Sequence, residues 1–265
     1  MTVEITKISN LKRTKIITIK QIINQILIKK REKFVFSTGT KSFDTVLGGG
    51  FHSKNLYIIF GANRTGKTQL CHQMCIQAYK FSSQSIYLDT ENTFRPERIK
   101  ELALSQSLDF KKTLKNILVS KIMSTSALLL TLKDIEATIK RSKIKIIIID
   151  SINNHFRAEV GDKKFSYTKV KATFIKILEE LSSLVENYNI IIIVTAQVSP
   201  NFIESAPIAE YPVGLQFLSH FFSEFLYLSY KEKESGYVHL INSNTLSEKK
   251  ILYRITNKGI EDYKI

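Results

Sequence analysis

Short, mostly apolar runs alternate along this chain with segments of helical periodicity. The apolar runs are Leu56–Phe60, Ser85–Asp89, Ile117–Ser120, Ile144–Ile149 and Ile190–Val194. Strands of this composition are usually buried on both faces, as in parallel sheets covered by helices. Apolar spacings of three and four residues predict helices after Thr68 and over Ala127–Arg141 and Lys169–Glu186. The pattern therefore predicts an α/β fold with a mostly parallel central sheet flanked by helices.

The hydrophobic pattern changes after Glu224. Phe225–Tyr230, Tyr237–Asn242 and Ile251–Thr256 are short, closely spaced and more strongly alternating. Such runs are typical of antiparallel strands joined by short turns. We therefore expect an antiparallel extension at the C-terminal end of the sheet.

The N-terminal segment has a different character from the rest. Isoleucines at 19, 22, 23 and 26 follow the spacing of an amphipathic helix, and the basic run Lys29-Lys30-Arg31 follows them. Such a helix most often docks on its own core, and binding to a partner is the alternative. We predict a basic amphipathic segment over residues 1–36 and one core domain over residues 37–265.

A complete phosphate-binding loop follows the strand Leu56–Phe60 and precedes the first predicted helix. Its residues are Gly61, Ala62, Asn63, Arg64, Thr65, Gly66, Lys67 and Thr68. Backbone N–H groups at a helix N-terminus bind phosphate oxygens, and the helix dipole favours negative charge there. Lys67 is expected at the β- and γ-phosphates of a bound nucleotide and the Thr68 hydroxyl at magnesium. A glycine turn that matches the motif by accident is the alternative, and the flanking strand and helix argue against it.

Polar residues at three further strand ends are candidates for the same site, because the carboxyl ends of parallel strands meet at one sheet edge. Asp150 ends Ile144–Ile149, where a magnesium-side carboxylate is expected. The triplet Asp89-Thr90-Glu91 supplies a second carboxylate that can orient or deprotonate water. Gln197 follows the next strand, and its neutral amide can contact a γ-phosphate without repulsion. A helix cap or a turn is the alternative for each residue taken singly.

The charge of the chain indicates a type of binding partner, and its composition argues against several classes of protein. Thirty-nine basic against 24 acidic residues give a net charge of +15, which attracts polyanions such as nucleic acid. A lysine-rich proteome would give the same excess. Cys71 and Cys75 are expected to pack as small hydrophobes, because a zinc site needs more ligands than His72 adds. With no signal-peptide pattern and no membrane-spanning run, we expect a cytoplasmic, nucleoid-associated protein.

Two longer motifs resemble one family, the RecA/RadA recombinases of the archaeal and eukaryotic branch. The first runs from Phe60 through the phosphate loop to His72, and the second is the stretch Tyr87–Arg98, Tyr-Leu-Asp-Thr-Glu-Asn-Thr-Phe-Arg-Pro-Glu-Arg. The second is the more specific, since phosphate binding does not require it. Weaker matches include Ser37-Thr38-Gly39, Asp150 through Arg157, and Pro212-Val213-Gly214. The resemblance covers residues 30–265.

The resemblance implies a RecA-type ATPase core that uses ATP and magnesium. It implies Glu91 as the carboxylate that activates water, Asp150 on the magnesium side and Gln197 as the γ-phosphate sensor. It also implies nucleotide contacts by Gln69 beside the loop and by Arg95 over the adenine. A DNA-dependent ATPase of recombination and repair, with slow turnover, is the function expected on this basis.

The departures from the family pattern favour an accessory RadA paralogue of the RadB type, with the core ATPase domain alone. Residues 1–36 are too few for the family's N-terminal DNA-binding domain, and no alanine precedes Ala62 to form its Phe-x-x-Ala polymerisation motif. Asn242 and Ser247 stand where the family has an aspartate and a proline that cap a neighbour's ATP. We therefore expect a monomer or small oligomer that assists RadA or another recombination protein.

The family's two DNA-contacting loops correspond to residues 153–168 and 198–215. The basic residues in and just after the first are Arg157, Lys163, Lys164 and Lys169, interleaved with Phe165 and Tyr167. Cations next to aromatic rings suit single-stranded DNA, and a solvated charged loop is the alternative. The stretch Ser199–Tyr211 has no lysine or arginine, so a partner surface is equally consistent with it.

Two other functions stay open from the sequence. The first is a nucleotide-binding scaffold with little hydrolysis that acts through protein partners, and the changed cap residues and acidic second loop support it. The second is a KaiC-like regulatory ATPase, against which the stretch Asn92–Arg98 argues.

Overall fold

A nine-stranded sheet lies at the centre of the computed structural model within the described residues, 33–201 and 208–263. The strands are β1 (Val35–Phe36), β2 (Phe51–His52), β3 (Asn55–Phe60), β4 (Gln84–Asp89), β5 (Ile117–Lys121), β6 (Ile144–Asp150), β7 (Ile191–Ala196), β8 (Val198–Pro200), β9 (Glu210–Pro212), β10 (Glu224–Glu232), β11 (Ser235–Asn242), β12 (Lys249–Thr256) and β13 (Gly259–Asp262). The helices are α1 (Lys41–Val46), α2 (Lys67–Lys80), α3 (Pro96–Ser105), α4 (Phe110–Lys115), α5 (Thr125–Arg141), α6 (Asn154–Gly161), α7 (Tyr167–Asn187) and α8 (Leu215–Leu218).

The order of strands across the central sheet is β5-β4-β6-β7-β3-β10-β11-β12-β13. The strands from β5 to β10 are parallel, and the last three continue antiparallel. The predicted α/β class, with its antiparallel C-terminal extension, is thereby confirmed. Strand β10 is the junction: it pairs parallel with β3 and antiparallel with β11. It was expected only as the first antiparallel strand.

Helices cover both faces of the parallel strands, and alternate side chains of each strand enter two separate cores. In β6, Ile147 and Ile149 pack with residues of α5 and α7, whereas Ile146 and Ile148 pack with residues of α1, α2 and α3. Both sets of isoleucines are fully buried. This two-sided burial explains why the central strands are almost purely apolar in sequence.

One residue predicted on the apolar face of the helix after the phosphate loop lies outside that helix. Leu70, Met74 and Ala78 are fully buried as predicted, but α2 ends at Lys80 and Phe81 follows it, 47% exposed. Phe81 stacks on Phe36 of β1, with ring centroids 4.4 Å apart. The aromatic residue therefore packs on a neighbouring strand instead of the helical face.

The two cysteines lie in α2 as free thiols with fully buried side chains, which confirms their packing as small hydrophobes. Burial raises the pKa of Cys75 to about 12. Cys71 is also shifted upward in pKa by burial, with Asp150 adding to the shift.

The predicted helix over residues 19–26 lies outside the described residues, so the domain boundary at residue 36 stays a prediction. None of the helices in the described part of the chain has the length and apolar character that a membrane-spanning helix needs.

Candidate functional site

The phosphate loop joins β3 to α2 at the carboxyl edge of the parallel sheet. Two of its glycines are required by their surroundings. Gly61 has a φ of 144°, and a Cβ there would lie 2.0 Å from the carbonyl oxygen of Leu228. Gly66 caps α2 with a φ of 94°, and a Cβ there would lie 2.9 Å from the side chain of Ile255. The backbone of β10 therefore excludes a side chain at position 61, whereas at position 66 the positive φ is the constraint, because the end of the Ile255 side chain can move.

Lys67 is folded back onto the loop that it follows. Its Nζ donates to the carbonyl oxygens of Gly61 at 2.7 Å and Ala62 at 2.8 Å. Burial lowers the pKa of Lys67, and the charges of Asp150 and Glu91 oppose that shift. A bound phosphate would offer the ammonium a charged acceptor, and charge-assisted hydrogen bonds are the stronger kind.

Asp150 is the most heavily hydrogen-bonded carboxylate that the structure describes at this edge. It ends β6, is 2% exposed, and accepts from the hydroxyl groups of Thr68 at 2.8 Å and Tyr87 at 2.8 Å. Thr93 and Thr195 also donate to it. Burial and the Asp150 charge together raise the pKa of the Tyr87 phenol. These hydrogen bonds therefore fix Asp150 beside Thr68, at the N-terminus of α2.

The oxygen donors of Thr68 and Asp150 are of the type that magnesium prefers. The described residues contain no group of three acidic, histidine or cysteine side chains that could hold a metal unaided. Magnesium usually takes one or two protein oxygens together with water and substrate phosphates. The donor set present therefore fits magnesium bound together with a nucleotide.

One carboxylate ends β4 and a second follows it, and they have different surroundings. Asp89 is buried and accepts from the backbone N–H groups of Glu91, Thr93 and Phe94, so it shapes the turn. Glu91 faces the cleft, where its Oε1 accepts from Ser151 Oγ at 2.5 Å. Of the triplet, Glu91 is therefore the carboxylate available to a substrate.

Gln197 follows β7 and connects several elements. Its Nε2 donates to Glu91 Oε1 and to Asn154 Oδ1, both at 3.0 Å. Its Oε1 accepts from Arg157 Nη1 at 3.2 Å, and its backbone N–H donates to Asn153 Oδ1 at 2.8 Å. The amide is thus fixed between the end of β4 and helix α6.

These groups line one cleft of about 680 Å³. Its wall contains the predicted residues Gly61, Ala62, Asn63, Arg64, Gly66, Lys67, Thr68, Gln69, Glu91, Asp150 and Gln197. Thr65 and Arg95 are not among its lining residues. Thr65 is buried beneath the loop, and the Arg95 guanidinium donates to the carbonyl oxygens of Asn92 at 2.9 Å and Phe94 at 3.0 Å. The predicted stacking of Arg95 on adenine therefore stays a prediction.

Comparison with known proteins agrees with this arrangement. The family model named Rad51 matches residues 29–263 of the chain. A curated relative, the DNA repair and recombination protein RadA of Metallosphaera sedula, is 32% identical over 238 residues. That match spans 85% of this chain and 72% of the relative. The chain belongs to the Rad51 family. The predicted RecA/RadA membership is confirmed, and assignment to a RadB-type paralogue stays a prediction.

The first candidate DNA segment of this Rad51-family chain is half helical, although a loop over 153–168 was expected. Helix α6 takes residues 154–161, and residues 162–166 form the turn into α7. Residues 161–169 are exposed, which includes Lys163, Lys164 and Lys169. Arg157 is exposed as well, and it lines both the nucleotide cleft and an open neighbouring cleft.

The second candidate segment, 198–215, contains the small antiparallel pair of β8 and β9, and its residues 202–207 lie outside the described part. Glu210 of β9 lines the nucleotide cleft, a placement that was not predicted from the sequence. The cap residues Asn242 and Ser247 are exposed and do not line the described cleft. Ser151, Asn153 and Asn154 lie in the stretch Asp150–Arg157 that resembles the family, but they were not predicted as residues of the nucleotide site, because nothing in the sequence shows that their side chains contact Glu91 and Gln197.

Proposed function

We propose that this Rad51-family chain binds ATP with magnesium in the cleft at its phosphate loop and hydrolyses it slowly. The observation that carries the proposal is the convergence of Lys67, Thr68, Glu91, Asp150 and Gln197 on one cleft. Glu91, Asp150 and Gln197 come from the carboxyl ends of three parallel strands, β4, β6 and β7, and Lys67 and Thr68 come from the N-terminus of the helix that follows β3. Ligands of open α/β sheets bind at this edge.

Each residue has a distinct role in the proposed hydrolysis. The N–H groups of the loop and the Lys67 ammonium hold the phosphates. Thr68 and Asp150 supply oxygens for magnesium, whose charge would offset that of the phosphates. Glu91 orients and deprotonates the attacking water, and the Gln197 amide hydrogen-bonds the terminal phosphate. Gln69 and Arg95 are proposed to contact the rest of the nucleotide.

We further propose that DNA, most of all single-stranded DNA, binds the exposed basic segment after β6. Support comes from the exposure of Lys163, Lys164 and Lys169 and from half-exposed Phe165 and Tyr167, all in the turn before α7 or the first residues of that helix. Cations on phosphates and rings on bases are the usual means of binding single strands. Because Arg157 lies between this segment and Gln197, DNA binding is expected to stimulate hydrolysis.

The proposed role is that of an accessory protein in homologous recombination and DNA repair, acting beside the RadA recombinase in the cytoplasm at the nucleoid. Asn242 and Ser247 lack the carboxylate and the ring that would cap a neighbour's nucleotide in the family pattern. Nucleotide state and subunit contact are then weakly coupled, so a monomer or small oligomer is expected.

A nucleotide-binding scaffold with little hydrolysis is the second candidate. The changed cap residues and the lack of basic residues over Ser199–Tyr211 favour it. The deciding experiment measures ATP turnover with and without single-stranded DNA, with Lys67→Ala as the inactive control. Turnover that rises with DNA and is lost in Lys67→Ala supports the ATPase. Tight ATP binding without turnover in either condition supports the scaffold.

A further inference from the structure

Both N–H bonds of the Gln197 side chain are already used in the structure. One donates to Glu91 Oε1 and the other to Asn154 Oδ1, each at 3.0 Å. On the opposite side of the amide, Arg157 Nη1 donates to Gln197 Oε1 at 3.2 Å. A terminal phosphate can therefore be contacted by Gln197 only if one of the two N–H bonds changes partner.

The orientation of these two amides follows from the chemistry of their partners. A guanidinium only donates, so the oxygen of the Gln197 amide faces Arg157 and its nitrogen faces Glu91. Asn154 Nδ2 donates to the carbonyl oxygen of Thr90 at 2.7 Å. A carbonyl only accepts, so Asn154 must turn its own oxygen to Gln197.

The two hydrogen-bond acceptors of Gln197 Nε2 line different clefts. Glu91 and Gln197 line the nucleotide cleft. Asn154 does not line that cleft and instead lines the open neighbouring cleft with Arg157 and Gln197. A phosphate in the nucleotide cleft would therefore compete with Glu91 for its N–H, because Asn154 lines the neighbouring cleft.

We propose that Asn154 is a positioning residue, which anchors one N–H of Gln197 so that the other passes between Glu91 and the terminal phosphate of bound nucleotide. This inference rests on the proposed function of the cleft. When the phosphate takes the N–H, Glu91 loses the Gln197 donor, and the Ser151 hydroxyl is the donor that remains to it among the described residues. Binding of the terminal phosphate and release of Glu91 from its Gln197 hydrogen bond then occur together.

The test compares nucleotide affinities in the whole chain, and its readout does not depend on turnover. Asn154→Leu keeps the size of the side chain and removes both hydrogen bonds. The wild type is expected to bind β,γ-imido-ATP more tightly than ADP, and Asn154→Leu to lose about tenfold of that preference with ADP affinity unchanged. Asn187→Leu, at the exposed end of α7, is the matched control and should keep the preference.

A double-mutant cycle separates positioning from a general structural role. If Asn154 acts through Gln197, Asn154→Leu has no further effect in a Gln197→Leu background. Additive losses, an equal loss of ADP affinity, or an unchanged preference in Asn154→Leu would each overturn the inference while the proposed function stands. Binding of neither nucleotide by the wild type would overturn both. If Asn154→Leu does not fold, Asn154→Ser gives the same comparison.

Discussion

The hydroxyl of Ser151 donates a 2.5 Å hydrogen bond to Oε1 of Glu91 and so links the ends of β6 and β4. Thr90 strengthens the same link, since its Oγ1 accepts from the Ser151 N–H at 2.7 Å and donates to the Ser151 carbonyl oxygen at 2.7 Å. The carboxylate proposed to activate water is therefore held by short, mutually supporting contacts at the cleft edge.

Glu91→Gln is expected to reduce kcat for ATP by about 10²–10⁴-fold, because the amide keeps the shape of the side chain but cannot accept a proton. Nucleotide affinity should be largely kept. Steady-state kinetics and direct binding measure the two effects, and Glu97→Gln on the exposed side of α3 is the matched control. A variant with the turnover of the wild type would show that Glu91 is not the base.

Lys163→Ala combined with Lys164→Ala should weaken single-stranded DNA binding and flatten its salt dependence. Each phosphate contact releases counterions, so losing two contacts reduces the slope of log affinity against log salt by up to about two units. The matched control is the exposed pair Lys111 and Lys112 on α4, changed to alanine in the same way. An equal loss in both double variants would mean that DNA is held by net charge alone.

His72 is expected to make the free energy of unfolding depend on pH. It is 3% exposed in α2, and burial lowers its pKa from 6.5 to about 4. Between these values the unfolded chain binds the proton and the folded chain does not, so stability is full above pH 6.5 and falls as the pH drops toward 4.

His72→Gln should remove this part of the pH dependence, which is on the order of 3 kcal/mol over the full interval. Denaturant unfolding at pH 7.5 and at pH 4.5 measures it. Exposed His220→Gln is the control and should behave as the wild type. If His72→Gln lost as much stability on acidification as the control, other groups would account for the slope.

The parts of the fold with a local pattern were predictable. Ile144–Ile149 is apolar because β6 is buried on both faces, and the phosphate loop is a contiguous motif whose geometry depends on its own glycines. Helix α4 was not predicted, since its six residues have one buried side chain, Thr113, and no apolar period. Its capping residue Asp109, which accepts from the N–H groups of Lys111 and Lys112, is the signal that could have located it.

The finer parts of the candidate site depend on contacts between distant segments. Asn154 meets Gln197 only because β6 and β7 are neighbours in the sheet, and no spacing in the sequence encodes that contact. Arg95 was placed over adenine by resemblance, yet its guanidinium is bound by carbonyl oxygens of its own turn. Whether the guanidinium donates to nearby carbonyl oxygens depends on the backbone geometry of the turn, which residue type alone does not reveal.

The purified protein is expected not to form long helical filaments on single-stranded DNA with magnesium and a non-hydrolysable ATP analogue. Residues before Ala62 contain no alanine for a Phe-x-x-Ala motif, and Asn242 and Ser247 replace the capping aspartate and proline. Weak coupling between nucleotide and subunit contact removes the cooperativity that filament growth needs. Electron microscopy tests this prediction, since regular filaments would indicate a recombinase instead of an accessory paralogue.

The proposed function depends on binding of magnesium-ATP through Lys67 in the cleft at the phosphate loop. The most direct measurement is the affinity of the wild type and Lys67→Ala for a non-hydrolysable ATP analogue with magnesium, with exposed Lys100→Ala as the matched control. Loss of a charge-assisted phosphate contact should weaken binding to Lys67→Ala by about 1.5–3 kcal/mol, while Lys100→Ala binds as the wild type does. Equal affinity of the wild type and Lys67→Ala would show that Lys67 does not hold the nucleotide in this cleft.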